Sequence, residues 1–269
     1  MMEASDRSCI VLDNRNNHSM KEWIRQASTS QDVYQLSPCA DYIIFHHGIR
    51  TATFEGLARE LERGFNQTID CSCQVSMQIL CSQSRRKDFE GPVLQDIHRQ
   101  SGARLSERLL DKFGINMGLL TKTSLPHVQG SSFEAIAPTS QGIMILPLMR
   151  AGEPLSRGVY ESFPGAKMVH YIDGYTDLQP VLEEEGIETI IVVDSVINRG
   201  NSMRQVLQVI LQARKLPQVF VLSSVTQSQA AVDLPNEFPR VRFLTLRISQ
   251  NQYTGRGGTD TGNRLFGTL

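Results

Sequence analysis

The apolar run Ile190-Ile191-Val192-Val193 delivers Asp194, and the chain then breaks into Asn198-Arg199-Gly200-Asn201-Ser202. A strand ending in an acid thus feeds a loop of phosphate size, a cradle for an anion. Met203 to Ala213 follow with Val206, Leu207, Ile210 and Leu211 at helical period. The loop therefore opens a helix whose N-terminal N–H groups favour negative charge. Taken alone, this stretch reads equally well as an ordinary strand–turn–helix joint, because short βα loops containing glycine are common.

Two further segments change that balance. Residues 143–167 read IMILPLMRAGEPLSRGVYESFPGAK, a second apolar strand, here followed by Arg150-Ala151-Gly152. Residues 253–269 read YTGRGGTDTGNRLFGTL, a glycine-dense segment with Asp260 near its middle.

The first segment resembles the phosphoribosyl-pyrophosphate (PRPP) loop of type I phosphoribosyltransferases. The other two resemble the Arg-Ala-Gly turn and the terminal Gly-Asp-Ala-Gly-Asp-Arg-Leu-Phe-Gly-Thr run of the uracil phosphoribosyltransferase family. The resemblance covers roughly residues 140–269 and implies an α/β fold, a type I phosphoribosyltransferase-like parallel sheet flanked by helices, with an N-terminal helical extension. It implies an enzyme that moves ribose 5-phosphate from PRPP to a small, uracil-like base and releases pyrophosphate, as in pyrimidine salvage. Carried over, Asp194, Arg150 and Asp260 are the catalytic residues. PRPP would be held by Arg150, Asp194, Ser195, Asn198, Arg199, Gly200, Asn201, Ser202 and Asp260, and the base by Thr254, Thr259, Asp260 and Thr261. Mg²⁺ would come chiefly with the pyrophosphate oxygens and keep several waters, so no protein metal cage is expected. The family also implies a homo-oligomer, a dimer or a tetramer.

The departures from the family pattern are specific. Its loop Asp-Pro-Met-Leu-Ala-Thr-Gly-Gly-Ser is here Asp194 to Ser202, with Arg199 in place of a small threonine. The flexible Arg-Asp-Glu-Glu-Thr segment that covers PRPP has only the shorter Ile172-Asp173-Gly174-Tyr175-Thr176-Asp177 in its region. The Gly-Asp-Ala triplet is Thr259-Asp260-Thr261. Three readings follow: an active transferase for uracil or another small base, a non-catalytic sensor of PRPP or a nucleotide, and a structural subunit retaining only the fold.

Composition narrows the remaining classes. In 269 residues, Lys plus Arg number 27 against 28 Asp plus Glu, so charge balance gives no pull toward nucleic acid or an acidic membrane. No apolar run approaches the ~20 residues of a bilayer span, and residues 1–23 lack a signal-peptide core. A cytoplasmic protein is expected. The five cysteines, an odd number, argue for reduced thiols, and Cys71-Ser72-Cys73 has no zinc-type partner pair downstream. His46-His47 on a strand would point to opposite faces, as a structural pair.

These residues need a scaffold. Residues 1–36 read as a polar arm and 37–269 as the phosphoribosyltransferase-like domain. A strand is predicted over Asp41–Phe45, and helices over Thr53–Leu61 and Gly102–Phe113. From Gln141 onward, strands and helices alternate as Ile143–Leu148, Ser156–Ser162, Lys167–Ile172, Val181–Glu185, Thr189–Val193, Met203–Ala213, Val219–Val225, Gln229–Glu237 and Val241–Ile248. Such alternation predicts a parallel sheet with ligands at the carboxyl ends of its strands.

Overall fold

The computed structural model describes residues 68–268, apart from Cys73, Ser140, Tyr175 and residues 252–254, together with the backbone of three strands nearer the N-terminus. The chain divides into two compact units, Met1–Gln67 and Thr68–Leu269. In the first, β1 (Ile10–Asp13), β2 (Asp32–Leu36) and β3 (Tyr42–His46) form an antiparallel sheet of order β1-β3-β2. The strand expected at Asp41–Phe45 is β3. The boundary drawn at residue 36 falls between β2 and β3 of this sheet, and the helix expected at Thr53–Leu61 lies outside the described residues.

The second unit is built on a parallel sheet of order β4-β11-β10-β9-β7-β8. Its strands are β4 (Ile69–Asp70), β7 (Ile143–Pro147), β8 (Lys167–Met168), β9 (Thr189–Ile197), β10 (Gln218–Gln227) and β11 (Val241–Ser249). Strands buried on both faces need apolar side chains in both directions, and β7 and β9 supply them. Ile143, Ile145, Ile191 and Val193 face one layer of helices, while Met144, Leu146, Ile190 and Val192 face the other. The first layer is α1 (Val75–Ser84), α2 (Gly91–Phe113) and α3 (Gly152–Ser162), with Leu105, Leu109, Leu155 and Val159 in the core. The second includes α5 (Asn201–Leu211) and α6 (Ser228–Glu237), with a short α4 (Gln179–Leu182) between β8 and β9. An antiparallel hairpin, β5 (Leu120–Pro126) with β6 (Ser132–Pro138), occupies the Thr- and Pro-rich stretch ahead of the sheet.

Helices α2 and α3 cross at two glycines. A Cβ on Gly102 would clash with the Leu155 carbonyl, and one on Gly158 with the Arg99 carbonyl and, at 2.7 Å, the Ala103 nitrogen. Only hydrogen fits between these backbones. The buried hydroxyls of Ser101 and Ser106 on the same face are satisfied within the helix, by the carbonyls of Ile97 and Gly102.

Candidate functional site

The carboxyl ends of β7, β9, β10 and β11 open into a cleft of about 630 Å³. It is closed on one side by the last helix, α7 (Thr261–Phe266), which follows a 3₁₀ turn at Gly257–Thr259. Of the residues singled out in the sequence, Arg150, Asp194, Ser195, Asn198, Ser202, Thr259, Asp260 and Thr261 line this cleft together. Their contributing segments are far apart in the chain, so the fold assembles what three motifs announced separately.

Strand β9 runs past Asp194 to Ile197, pairing Val196 with Val225 and Ile197 with Thr226, so the phosphate-sized loop is only Asn198–Gly200. Asp194 and Val196 turn toward the cleft while Ser195 and Ile197 are buried. Burial pushes the Asp194 carboxyl up to about 7, against the pull of the Ser195 and Val196 N–H groups.

Gly200, at φ 78°, is the N-cap of α5, and no side chain caps the N–H groups of the helix's first turn. The loop is fixed from behind. Arg204 grips both carboxylate oxygens of Glu237 at 2.7 and 2.8 Å and donates to the Arg199 carbonyl at 2.5 Å. Asn198 accepts from the Gln227 amide at 3.2 Å. Arg199 itself is exposed and, with Gly200 and Asn201, does not line the cleft.

Arg150 follows a cis Met149–Arg150 peptide and donates to Thr268 Oγ1 at 2.8 Å and to Asn263 Oδ1 at 3.1 Å. Three of its five N–H donors remain for a ligand. Gly152 explains the glycine of that turn, because a Cβ there would clash with the Val193 carbonyl and sit 3.4 Å from the Asp194 Cα. The turn and the acid are thus packed backbone to backbone. Asp260 is the N-cap of α7, accepting from the Asn263 N–H at 3.0 Å. The Thr259 hydroxyl bonds back to the Arg256 backbone, as donor at 2.8 Å and acceptor at 3.1 Å. Thr254 lies outside the described residues.

Sequence reasoning missed His98. It is 4% exposed on α2, its Nδ1 lies 2.9 Å from Ser195 Oγ, and burial with the nearby Arg264 charge holds its pKa down at about 4. Ser195 Oγ donates to the Ala151 carbonyl, so the neutral imidazole donates to Ser195. This chain of bonds ties α2, β9 and the Arg150 turn together. A pairing 97 residues apart leaves no local signal. Arg85 and Arg247 also line the cleft unannounced.

The carboxylates in the cleft, Asp173, Asp194 and Asp260, form no cluster of three metal-ligating side chains among the described residues.

Residues 72–268 match the family model described as uracil phosphoribosyltransferase. Proteins of that name from Natronomonas pharaonis and Paracoccus denitrificans are 26% and 31% identical, over 47% and 50% of this chain and 65% and 70% of theirs. Another from Ralstonia pickettii is 27% identical over 63% of this chain and 87% of its own. Among solved structures, the AQ2163 protein of Aquifex aeolicus superposes with a TM-score of 0.57 at 17% identity, covering 72% of this chain and 95% of that one.

Proposed function

The chain belongs to the uracil phosphoribosyltransferase family, and from that premise we propose that the cleft binds Mg²⁺·PRPP and transfers its ribose 5-phosphate to a small ring base. The observation that carries this reading is the meeting of the β9 loop, Asp194, Arg150 and α7 around one cleft. The monoester phosphate sits over the first turn of α5, where N–H groups and Ser202 face it. Ionised Asp194 accepts from the ribose hydroxyls. Arg150 takes the pyrophosphate, held in place by Asn263 and Thr268. The ring nitrogen of the base forms its bond to the sugar carbon as the carbon–oxygen bond to pyrophosphate breaks. Pyrophosphate leaves with the electron pair, and the ring nitrogen releases its proton to solvent. Mg²⁺, when bound, would supply positive charge to the leaving oxygens, and the cleft carboxylates Asp173 and Asp194 would hold its waters.

In this reading the protein is cytoplasmic and assembles with copies of itself through apolar surface such as Leu125, Val128, Phe133 and Ile136, which are exposed on the β5–β6 hairpin. Millimolar Mg²⁺·PRPP is expected to raise the melting temperature, by the equivalent of ~2.7 kcal/mol at a hundredfold excess over Kd. Arg150→Ala should shrink that rise. An unchanged melting curve in the parent protein would overturn the reading.

A second reading rests on the segment after β8. Ile172 to Thr176 close into a tight turn, with the Thr176 N–H on the Ile172 carbonyl at 2.9 Å and the Thr176 hydroxyl accepting from the Ile172 N–H at 2.9 Å. A turn so short covers little of a bound PRPP, which favours a sensor. Stabilisation by PRPP without pyrophosphate release from any base of a panel would select it.

The base edge carries its own prediction. Thr259 and Thr261 stand where the family has glycine and alanine, and they add volume beside the ring. Uracil turnover by the parent is expected to be weak, and Thr259→Gly with Thr261→Ala should raise uracil-dependent pyrophosphate release about tenfold. Efficient uracil use by the unmodified protein would show that these threonines do not set specificity.

A further inference from the structure

The phosphoribosyl chemistry leaves two cleft arginines without a task. Arg247 projects from β11 and Arg85 caps the C-terminus of α1. Among the described residues, neither guanidinium makes a hydrogen bond or an ion pair, and the Arg247 Nε is enclosed without a partner. Buried donors are normally satisfied, so an enclosed, unpartnered guanidinium nitrogen beside a ligand cleft points to a ligand. Burial and the Arg85 charge lower the Arg247 pKa, with Cys81 and Asp70 acting the other way. Asp70 offsets part of the positive charge without bonding either guanidinium, its carboxylate accepting from the Ser72 and Ile248 N–H groups at 2.9 and 3.3 Å. On neighbouring β10 the Ser224 hydroxyl, 3% exposed, also lines the cleft without a partner.

Position decides which anion belongs there. In the sheet order β11-β10-β9-β7, Arg247 is rooted two strands from the monoester loop and three from Arg150. At ordinary strand spacing those roots are about 10 and 14 Å apart, and in the transferase reading the loop before α5 and Arg150 are the donors for the two PRPP phosphates. A base displacing pyrophosphate attacks the sugar carbon from the face opposite the leaving group. With pyrophosphate on the β7 side, the acceptor enters from the β10–β11 side, where Arg85 and Arg247 stand.

We propose that Arg85 and Arg247 bind a carboxylate carried by the acceptor ring, so that the preferred substrate is an anionic, carboxylated heterocycle rather than neutral uracil. The proposal rests on the transferase reading of the cleft and names its substrate class. A guanidinium pairs with a carboxylate through two parallel N–H donors, and a site built for such a group rejects the analogue lacking it.

Two nucleotides that differ only in this group test it, orotidine 5′-monophosphate and uridine 5′-monophosphate, titrated calorimetrically into the full chain. The carboxylated nucleotide is expected to bind between about tenfold and a hundredfold more tightly, the range of a charged hydrogen bond. Arg247→Gln, and independently the exposed Arg85→Gln, should remove that difference and leave the affinity for uridine 5′-monophosphate and Mg²⁺·PRPP as in the parent. Equal binding of the two nucleotides by the parent overturns the proposal while leaving the transferase reading intact. Loss of Mg²⁺·PRPP affinity in Arg247→Gln also overturns it, by assigning that arginine to pyrophosphate. If neither nucleotide nor Mg²⁺·PRPP binds the parent, the transferase reading itself fails and the proposal falls with it.

Discussion

A Gly158→Val variant is expected to lose the cooperative fold of the second unit. The Cβ alone would enter the Arg99 carbonyl and lie 2.7 Å from the Ala103 nitrogen, both backbone atoms of a helix held by its own hydrogen bonds. Neither can step aside as a side-chain tip would, so α2 and α3 must separate, exposing Leu105, Leu109, Leu155 and Val159. Overpacking of this kind costs at least about 3 kcal/mol, a large share of the stability of a domain. Gly258 is the control, because a Cβ there meets nothing within 4 Å. Gly258→Ala should stay within about 0.5 kcal/mol of the parent in urea unfolding. Equal midpoints for the two variants would show that the helix crossing tolerates a wider spacing.

Asp194→Asn is expected to stabilise the protein and weaken its response to PRPP. The folded chain holds this carboxyl at about 7, against the ordinary value of 3.8. Native protein thus binds the proton more tightly than unfolded protein does. The stability so gained is complete below pH 3.8, and it declines by about 1.4 kcal/mol per pH unit until the folded group ionises near 7. Asparagine cannot ionise and escapes the loss, so the variant should exceed the parent by about 2–4 kcal/mol at pH 8 and match it near pH 3.5. In the parent, affinity for Mg²⁺·PRPP should rise with pH through about 7, as the carboxylate becomes able to accept from the ribose hydroxyls. Parallel stability curves for parent and variant between pH 4 and 8 would show that the carboxyl titrates as an ordinary surface acid.

The parts of the site that lie within one motif were legible in the sequence, and those made by distant packing were not. Asp194, Arg150 and Asp260 each sit in a local pattern of apolar run, small turn and helix, and the fold brings them to one cleft. The alternation after Gln141 gave the parallel sheet because β7, β9, β10 and β11 are apolar on both faces. The apolar period marks a helix only over Gly102–Phe113, although α2 begins at Gly91. Its first half buries His98, Ser101 and Gly102, small or polar residues that fit the glycine crossing and the Ser195 contact but interrupt an apolar stripe. For a related reason the apolar run marks β9 only to Val193, although the strand runs to Ile197. Asp194 and Ser195 look like a loop, yet both belong to the strand and line the cleft, and the Ser195 hydroxyl also bonds His98 and Ala151. Arg247 sits at a strand end where a charged residue ordinarily signals solvent.

The clamp of Arg204 on Glu237 and on the Arg199 carbonyl has a thermodynamic consequence. Ordering a loop residue costs about 1–2 kcal/mol of conformational entropy, and a cradle that formed only around its ligand would subtract that sum from the affinity. Here Asn198, Arg199 and Gly200 are held by α5 and α6 before any phosphate arrives, so that entropy is lost during folding. For a phosphate monoester bound there as proposed, the dissociation constant would reflect the contacts themselves, and severing Arg204 from Glu237, well outside the cleft, would weaken that binding without removing a single ligand contact.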